Sequence, residues 1–280
     1  MFWVSQTVNG QEFVIESTTN ESNGRFVEAR MAVHETRFEL ADDLLREVLR
    51  TEPQLRLGWA YLAVVDVLLF RDPTVHIAEA RKPVEGQPHN ERDMVEILAR
   101  FASGDLAECE ELILQFLRTF PDDRFAIHLL GFVYNDSGLF DESIDLLREL
   151  IRMHPDFVPA WNHLGYAFME QGDLTKARAA FEMFFELSPE NPSAYDSMAE
   201  ILAREGDVDR ALNLLRRATD LEPRMAFAWM HMGDILFDAG IPDDALLAYK
   251  DAMESSVQYG DEFRALVQAK MDEISRDTSR

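Results

Sequence analysis

The sequence predicts an all-α protein of stacked helix-turn-helix units, and three observations carry the prediction. Gly104, Gly138, Gly172, Gly206 and Gly240 are each 34 residues apart. Pro121, Pro155, Pro189 and Pro223 follow the same interval, with Pro53 two intervals before Pro121. That interval sets a register of units beginning at Ser22, Arg56, Asn90, Arg124, Val158, Pro192 and Ala226, in which apolar residues recur at helical spacing.

The first element departs from the pattern. Asn9-Gly10 separates Phe2–Val8 from Gln11–Glu16, a strong short-range signal for a tight β-hairpin. Pairing Val8 with Gln11 sets Val4 opposite Ile15 and gathers Phe2, Val4, Val8, Phe13 and Ile15 on one face. A two-stranded hairpin is marginal alone, so it must pack on the first helices, pair with a second copy or accept a partner's strand. Residues 1–21 are read as this hairpin and a polar linker.

Residues 22–123 read as degenerate units. The unit from Ser22 keeps Ala29, Ala41, Leu45, Val48 and Pro53, and the one from Arg56 keeps Trp59, Leu62 and Ala63. Pro73, Pro83, Gly86 and Pro88 then require its second helix to be short or broken, which makes 72–90 an irregular joint. The unit from Asn90 keeps Gly104 and Pro121 but has Asp93, Glu96 and Ile97 at packing places.

Residues 124–259 read as four clean units. Their fourth place carries Ile127, Trp161, Tyr195 and Trp229, and their seventh and eighth carry Leu130-Gly131, Leu164-Gly165, Met198-Ala199 and Met232-Gly233. The twentieth place is small (Ser143, Ala177, Ala211, Ala245) and the twenty-fourth large (Leu147, Phe181, Leu215, Tyr249), so large side chains fill the space that small ones leave where helices cross. The glycine at place 15 ends the first helix and the proline at place 32 stops the second. In 260–276, Phe263, Leu266, Val267, Met271 and Ile274 recur at helical spacing among charged residues, a capping helix for the open end.

The pattern of Trp161, Leu164, Gly165, Phe168, Ala177, Phe181 and Pro189 resembles the tetratricopeptide repeat. The resemblance implies a right-handed superhelix of stacked helix pairs, and the chain is similar to a bacterial group in which degenerate repeats precede clean ones. It also implies a concave groove lined by places 2, 5, 9, 12 and 13 of the first helices, where a ligand lies.

Composition narrows the function. Asp and Glu number 52 against 27 Lys and Arg, and a net charge of −25 repels nucleic-acid phosphates and anionic lipid. One cysteine excludes an internal disulfide framework or a multi-cysteine metal site. No apolar run is long enough for a membrane helix, and the start, Met-Phe-Trp-Val-Ser-Gln, lacks the basic beginning of a secretory signal, so the expected location is cytoplasmic.

Catalytic, cofactor and metal sites are not expected. Cys109 falls at a small packing place and reads as an inert buried thiol. His163 and His231 share a place two units apart, too far to hold one metal, and His34-Glu35 lacks a zinc helix's second histidine. The joint offers His76, Glu79, Lys82 and His89 without a recognisable spacing for hydrolysis.

The favoured function is therefore a non-enzymatic scaffold that holds a protein or peptide segment, basic in character, in the groove. Its contacts are Asn162, Tyr166, Asp196, Glu200, Met230, Asp234 and Phe237. Asparagine holds the peptide backbone, acids meet basic side chains, and aromatic and methionine groups fill pockets. Binding of a terminal carboxylate, as in chaperone-tail capture, is disfavoured because Tyr166 stands where asparagine is needed and Asp196, Glu200 and Asp234 repel it. The alternative is a self-assembling structural or adaptor protein, a homodimer joined through the hairpin or the final helix.

Overall fold

The computed structural model describes residues 5–8, 11–14 and 20–277, with side chains from Ser22 to Arg276. Strands β1 (Ser5–Val8) and β2 (Gln11–Val14) pair antiparallel with Val8 opposite Gln11 and Ser5 opposite Val14. Val4 and Ile15, the next expected pair, lie outside the described residues. Fifteen α-helices follow among the described residues. They are α1 (Asn20–His34), α2 (Phe38–Thr51), α3 (Arg56–Leu68), α4 (Thr74–Ala80), α5 (His89–Ala102), α6 (Leu106–Thr119), α7 (Arg124–Asp136) and α8 (Phe140–Met153). The others are α9 (Pro159–Glu170), α10 (Leu174–Leu187), α11 (Pro192–Arg204), α12 (Val208–Leu221), α13 (Ala226–Asp238), α14 (Pro242–Ser255) and α15 (Asp261–Asp277).

Two compact units result. One holds the described residues up to Leu68 together with Asp72–Ala160; the other holds Leu69–Arg71 and the chain from Trp161 onward. In both, one local device makes the hairpins. Gly104, Gly172 and Gly206 end a first helix at φ of 73°, 82° and 85°, a conformation costly for residues with a Cβ. The aspartate that follows each, Asp105, Asp173 or Asp207, accepts a backbone N–H of the next helix and caps it. Thr36 and Phe70, at the same place in the first two degenerate units, adopt φ of 59° and 56° without glycine.

Packing follows the small-and-large pairing. A Cβ on Gly165 would come within 2.4 Å of Phe181, and one on Gly233 within 2.5 Å of Tyr249, so these glycines make room for the rings. Where place 24 is Leu215, the matching place is Ala199, and both are fully buried. The small twentieth place also reaches back to its partner helix. The Ser143 hydroxyl donates to the Gly131 carbonyl at 2.9 Å, and the Cys109 thiol lies 3.5 Å from the Ile97 carbonyl in the same relation. At place 4, the Tyr195 hydroxyl donates to the Pro189 carbonyl, and the Trp59 indole to Pro53, six residues back in each case. The degenerate second repeat thus keeps a bond that its sequence shares with a clean one.

Two stretches depart from the regular repeat. Helix α4 is only 7 residues long, with Pro73 before it and Pro88 before α5. In the second unit, the Leu69–Arg71 segment is held against the C-terminal helices. Phe70 packs on Phe227 and Phe263 at ring separations of 6.0 and 5.8 Å, and the Gly260 amide donates to the Leu69 carbonyl at 2.8 Å. The Arg71 guanidinium donates to the Gln258 carbonyl. A Cβ on Gly260 would lie 1.6 Å from the Phe70 carbonyl oxygen, so only glycine permits this approach.

Candidate protein-binding groove

In the second unit, α9, α11 and α13 are first helices of successive repeats, and their groove places bring most of the expected contact residues together. A residue's neighbour on the next first helix lies about one repeat later in sequence, and a polar ladder results. The Ser197 hydroxyl donates to the Asn162 amide oxygen at 2.8 Å and lies 3.3 Å from the Tyr166 hydroxyl. Asn162 is buried, whereas Tyr166 is half-buried with its ring edge-on to Phe181 at 5.1 Å. Burial first, then the carboxylates of Glu200 and Asp196, hold the Tyr166 phenol well above its ordinary pKa, so it stays a hydrogen-bond donor.

The carboxylates are paired within the chain. Asp196 is buried and accepts from His231 Nδ1 at 2.8 Å. Glu200 meets Arg204 at 3.2 Å, and Arg204 reaches Glu170 at the end of α9 at the same distance. Asp234 accepts from Lys270 Nζ on α15 at 2.7 Å and from the Tyr249 hydroxyl at 2.5 Å. Asp238 is exposed, Phe237 is half-buried and Met230 is buried. A cavity of about 500 Å³ is lined by Glu200, Arg204, Val208, His231, Asp234 and Asp238 together with Ala203, Ile235 and Ala239; Phe237 and Met230 are not part of its lining.

Burial alone would lower the His231 pKa, but Asp196, with Glu200 and Asp234 nearby, raises it to about 9. At neutral pH the ring is an imidazolium and holds no lone pair with which to act as a base. His231, Ser197, Arg204 and Lys270 were not among the expected contacts. The 34-residue register contained the signal for the first two, because it sets Ser197 beside Asn162 and His231 beside Asp196 on neighbouring helices.

The other candidate chemistry is absorbed in local pairs. His76 hydrogen-bonds the buried Asp66 carboxylate and stacks near Trp59, while Lys82 pairs with Glu79. Cys109 is fully buried, and burial, with Asp105 adding to it, pushes its thiol up to about 12. Among the described residues, no group of three or more histidine, cysteine or carboxylate side chains is placed to hold a metal. Within the same residues, no helix is long and apolar enough to cross a membrane.

Comparison with known proteins gives a consistent picture. Residues 163–276 match a family model described as a tetratricopeptide repeat-like domain, and residues 133–192 match a tetratricopeptide repeat. Among solved structures, a thermophilic TPR protein of Thermus thermophilus is 18% identical, with a TM-score of 0.59 over 65% of this chain and 98% of that one. A tetratricopeptide repeat protein from Parabacteroides merdae is 14% identical, with a TM-score of 0.59 over 90% of this chain and all of that one. The human IFIT1 dimer with PPP-AAAA is 16% identical, with a TM-score of 0.66 over 87% of this chain and 60% of that one. No curated protein matches the chain in sequence.

Proposed function

Because the chain is a tetratricopeptide-repeat protein, and such repeats generally serve as scaffolds for protein partners, we propose that its second unit binds a protein or peptide segment with basic side chains and performs no catalysis. The supporting observation is the cavity beside α11 and α13, lined by the acids Glu200, Asp234 and Asp238 against the bases Arg204 and His231. The Glu170–Arg204, Glu200–Arg204 and Asp234–Lys270 pairs are partly exposed and contribute little to stability, about 0–1 kcal/mol each, so a ligand can exchange partners with them at small cost. A basic side chain entering here meets Asp238 directly and competes for Glu200 and Asp234. Tyr166 and Phe237 supply apolar surface for the neighbouring ligand residues.

The test compares the intact chain with a Glu170→Lys, Asp238→Lys variant, which alters exposed acids and leaves the Asp196–His231 pair alone. A Glu186→Lys variant, changed at an exposed position on α10, is the control. The reading requires a protein captured by the intact chain and by the control to be lost with the groove variant and in high salt. Equal capture by all three chains removes it.

A second reading, self-association through the N-terminal hairpin, draws on the two-stranded sheet itself, whose described strands have one ladder partner each. Light scattering on the full chain and on a chain lacking residues 1–20 tests it. A dimer that persists without the hairpin excludes that route.

A further inference from the structure

The groove places of the first unit are occupied by the protein's own side chains. On α1 these are Arg30 and His34, and on α7 they are Phe125 and His128; all four are buried. Though three repeats apart in sequence, the two faces touch. Nδ1 of His34 lies 2.8 Å from Nδ1 of His128, the Arg30 guanidinium sits 3.8 Å over the Phe125 ring, and the His34 ring lies 4.9 Å from that same ring. From α3, the Tyr61 hydroxyl lies 3.3 Å from Nε2 of His34. Phe157 packs against both imidazoles, at 6.3 and 5.4 Å.

We propose that the His34–His128 contact is a proton-sensitive latch, which keeps the groove of the first unit closed while one proton lies between the two Nδ1 atoms and releases α1 from α7 when both rings are charged. The argument is one of donors and acceptors. At 2.8 Å one Nδ1–H donates and the other Nδ1 must present its lone pair. Two imidazoliums would set N–H against N–H in a buried place, where like charges repel strongly.

The charged surroundings act in the same direction. Arg30 on α1 and Arg124 at the start of α7 both lie near the Phe125 ring, with Cζ at 3.8 and 5.2 Å, and each repels a second positive charge. Asp123, the N-cap of α7, is the opposing group, but its carboxylate is engaged by the backbone N–H groups of Phe125 and Ala126. Tyr61 is kept protonated, since burial raises its phenol well above the ordinary range. Just beyond α1, Glu35 pairs with Arg37, and beyond α8 Asp156 pairs with Arg124. An imidazole that must stay neutral in the closed form has a folded pKa below its unfolded value of about 6.5. The latch is therefore fully closed above that pH and loosens as the pH falls below it.

Hydrogen exchange read by mass spectrometry on the full chain tests the proposal, at pH 7.5 and 5.5 with times corrected for the intrinsic rate. Peptides from α1 and α7 of the intact chain are expected to exchange more than tenfold faster at pH 5.5, while those from α13 and α14 change less than twofold. In His128→Gln, whose amide can donate to or accept from His34 in either charge state, the α1 and α7 change should also fall below twofold. No acid-induced rise in the intact chain, or an equal rise in the variant, overturns the latch. Imidazole NMR on the unaltered chain supplies a measurement that needs no variant: two histidines titrating independently near pH 6.5 would also overturn it.

Discussion

Gly165→Ala tests the crossing rule at its tightest point. The added Cβ would lie 2.4 and 2.5 Å from two atoms of the Phe181 ring, against about 3.5–4.0 Å for an ordinary contact, so the ring must retreat by more than about 1 Å. It has little room to do so, being fully buried with Tyr166 edge-on beside it. Overpacking of this sort costs about 1–3 kcal/mol, and two clashing ring atoms argue for the upper end. The better helix propensity of alanine returns about 1 kcal/mol, leaving a net loss of about 2 kcal/mol. With a urea m-value of about 2 kcal/mol/M, the unfolding midpoint falls by about 1 M, which the fluorescence of Trp161 and Trp229 can follow. In a Phe181→Leu background the same change recreates the Ala199–Leu215 pairing of the next repeat and should become neutral or stabilising. The two effects then differ by about 2–3 kcal/mol in a double-mutant cycle. An equal effect of Gly165→Ala in both backgrounds would refute the account of glycine as space for the ring.

Thr36→Gly relieves a left-handed residue at φ 59° and should raise first-unit stability by up to about 1 kcal/mol, whereas Gly138→Ala, at φ 73°, should lower it by about 1–2 kcal/mol; urea unfolding measures both. His231, with its pKa raised to about 9 in the folded chain, contributes stability that is complete below pH 6.5 and is lost as the pH rises through 9. Unfolding midpoints of the second unit should therefore fall between pH 7 and 10, and Asp196→Asn should flatten the part due to this pair; an unchanged slope in the variant counts against it. Cys109→Ser should fold and stay within about 1 kcal/mol of the parent, because its hydroxyl can donate to Ile97 as Ser143 does to Gly131. In the unaltered chain, Cys109 should react with an alkylating reagent only at the rate at which α5 and α6 part, since its thiol is buried and protonated.

Helix positions were legible because their determinants are local and periodic. Gly104-Asp105, Gly172-Asp173 and Gly206-Asp207 stop one helix and cap the next within two residues, and prolines 73, 83 and 88 pointed to the short α4. Asn9-Gly10 likewise set the pairing of Val8 with Gln11. Thr36 and Phe70 hid their turns, because nothing in a threonine or phenylalanine announces a left-handed backbone. For the groove, the sequence gathered Asn162, Asp196, Glu200 and Asp234 on successive helices through the register. It did not reveal that Lys270, from a helix outside the repeats, would reach Asp234, nor that His34 would meet His128. The first comes from a helix outside the repeats, and the second joins helices three repeats apart, which the side-chain pattern of a single repeat does not encode.

The attachment of Leu69–Arg71 to the second unit bears on the order in which the chain can fold as it is synthesised. Domains commonly fold as they emerge, N-terminal first. Here the Arg71 guanidinium must wait for the carbonyl of Gln258, 187 residues later, after α14 has been made. Closing so long a loop costs about 4–5 kcal/mol of chain entropy by the logarithmic rule, so the docking of Phe70 belongs to the last stage of assembly, after the helices on both sides of the loop are in place. Until then Phe227 and Phe263 lack one of their covering rings, and the nascent protein carries an aromatic surface that the finished one conceals.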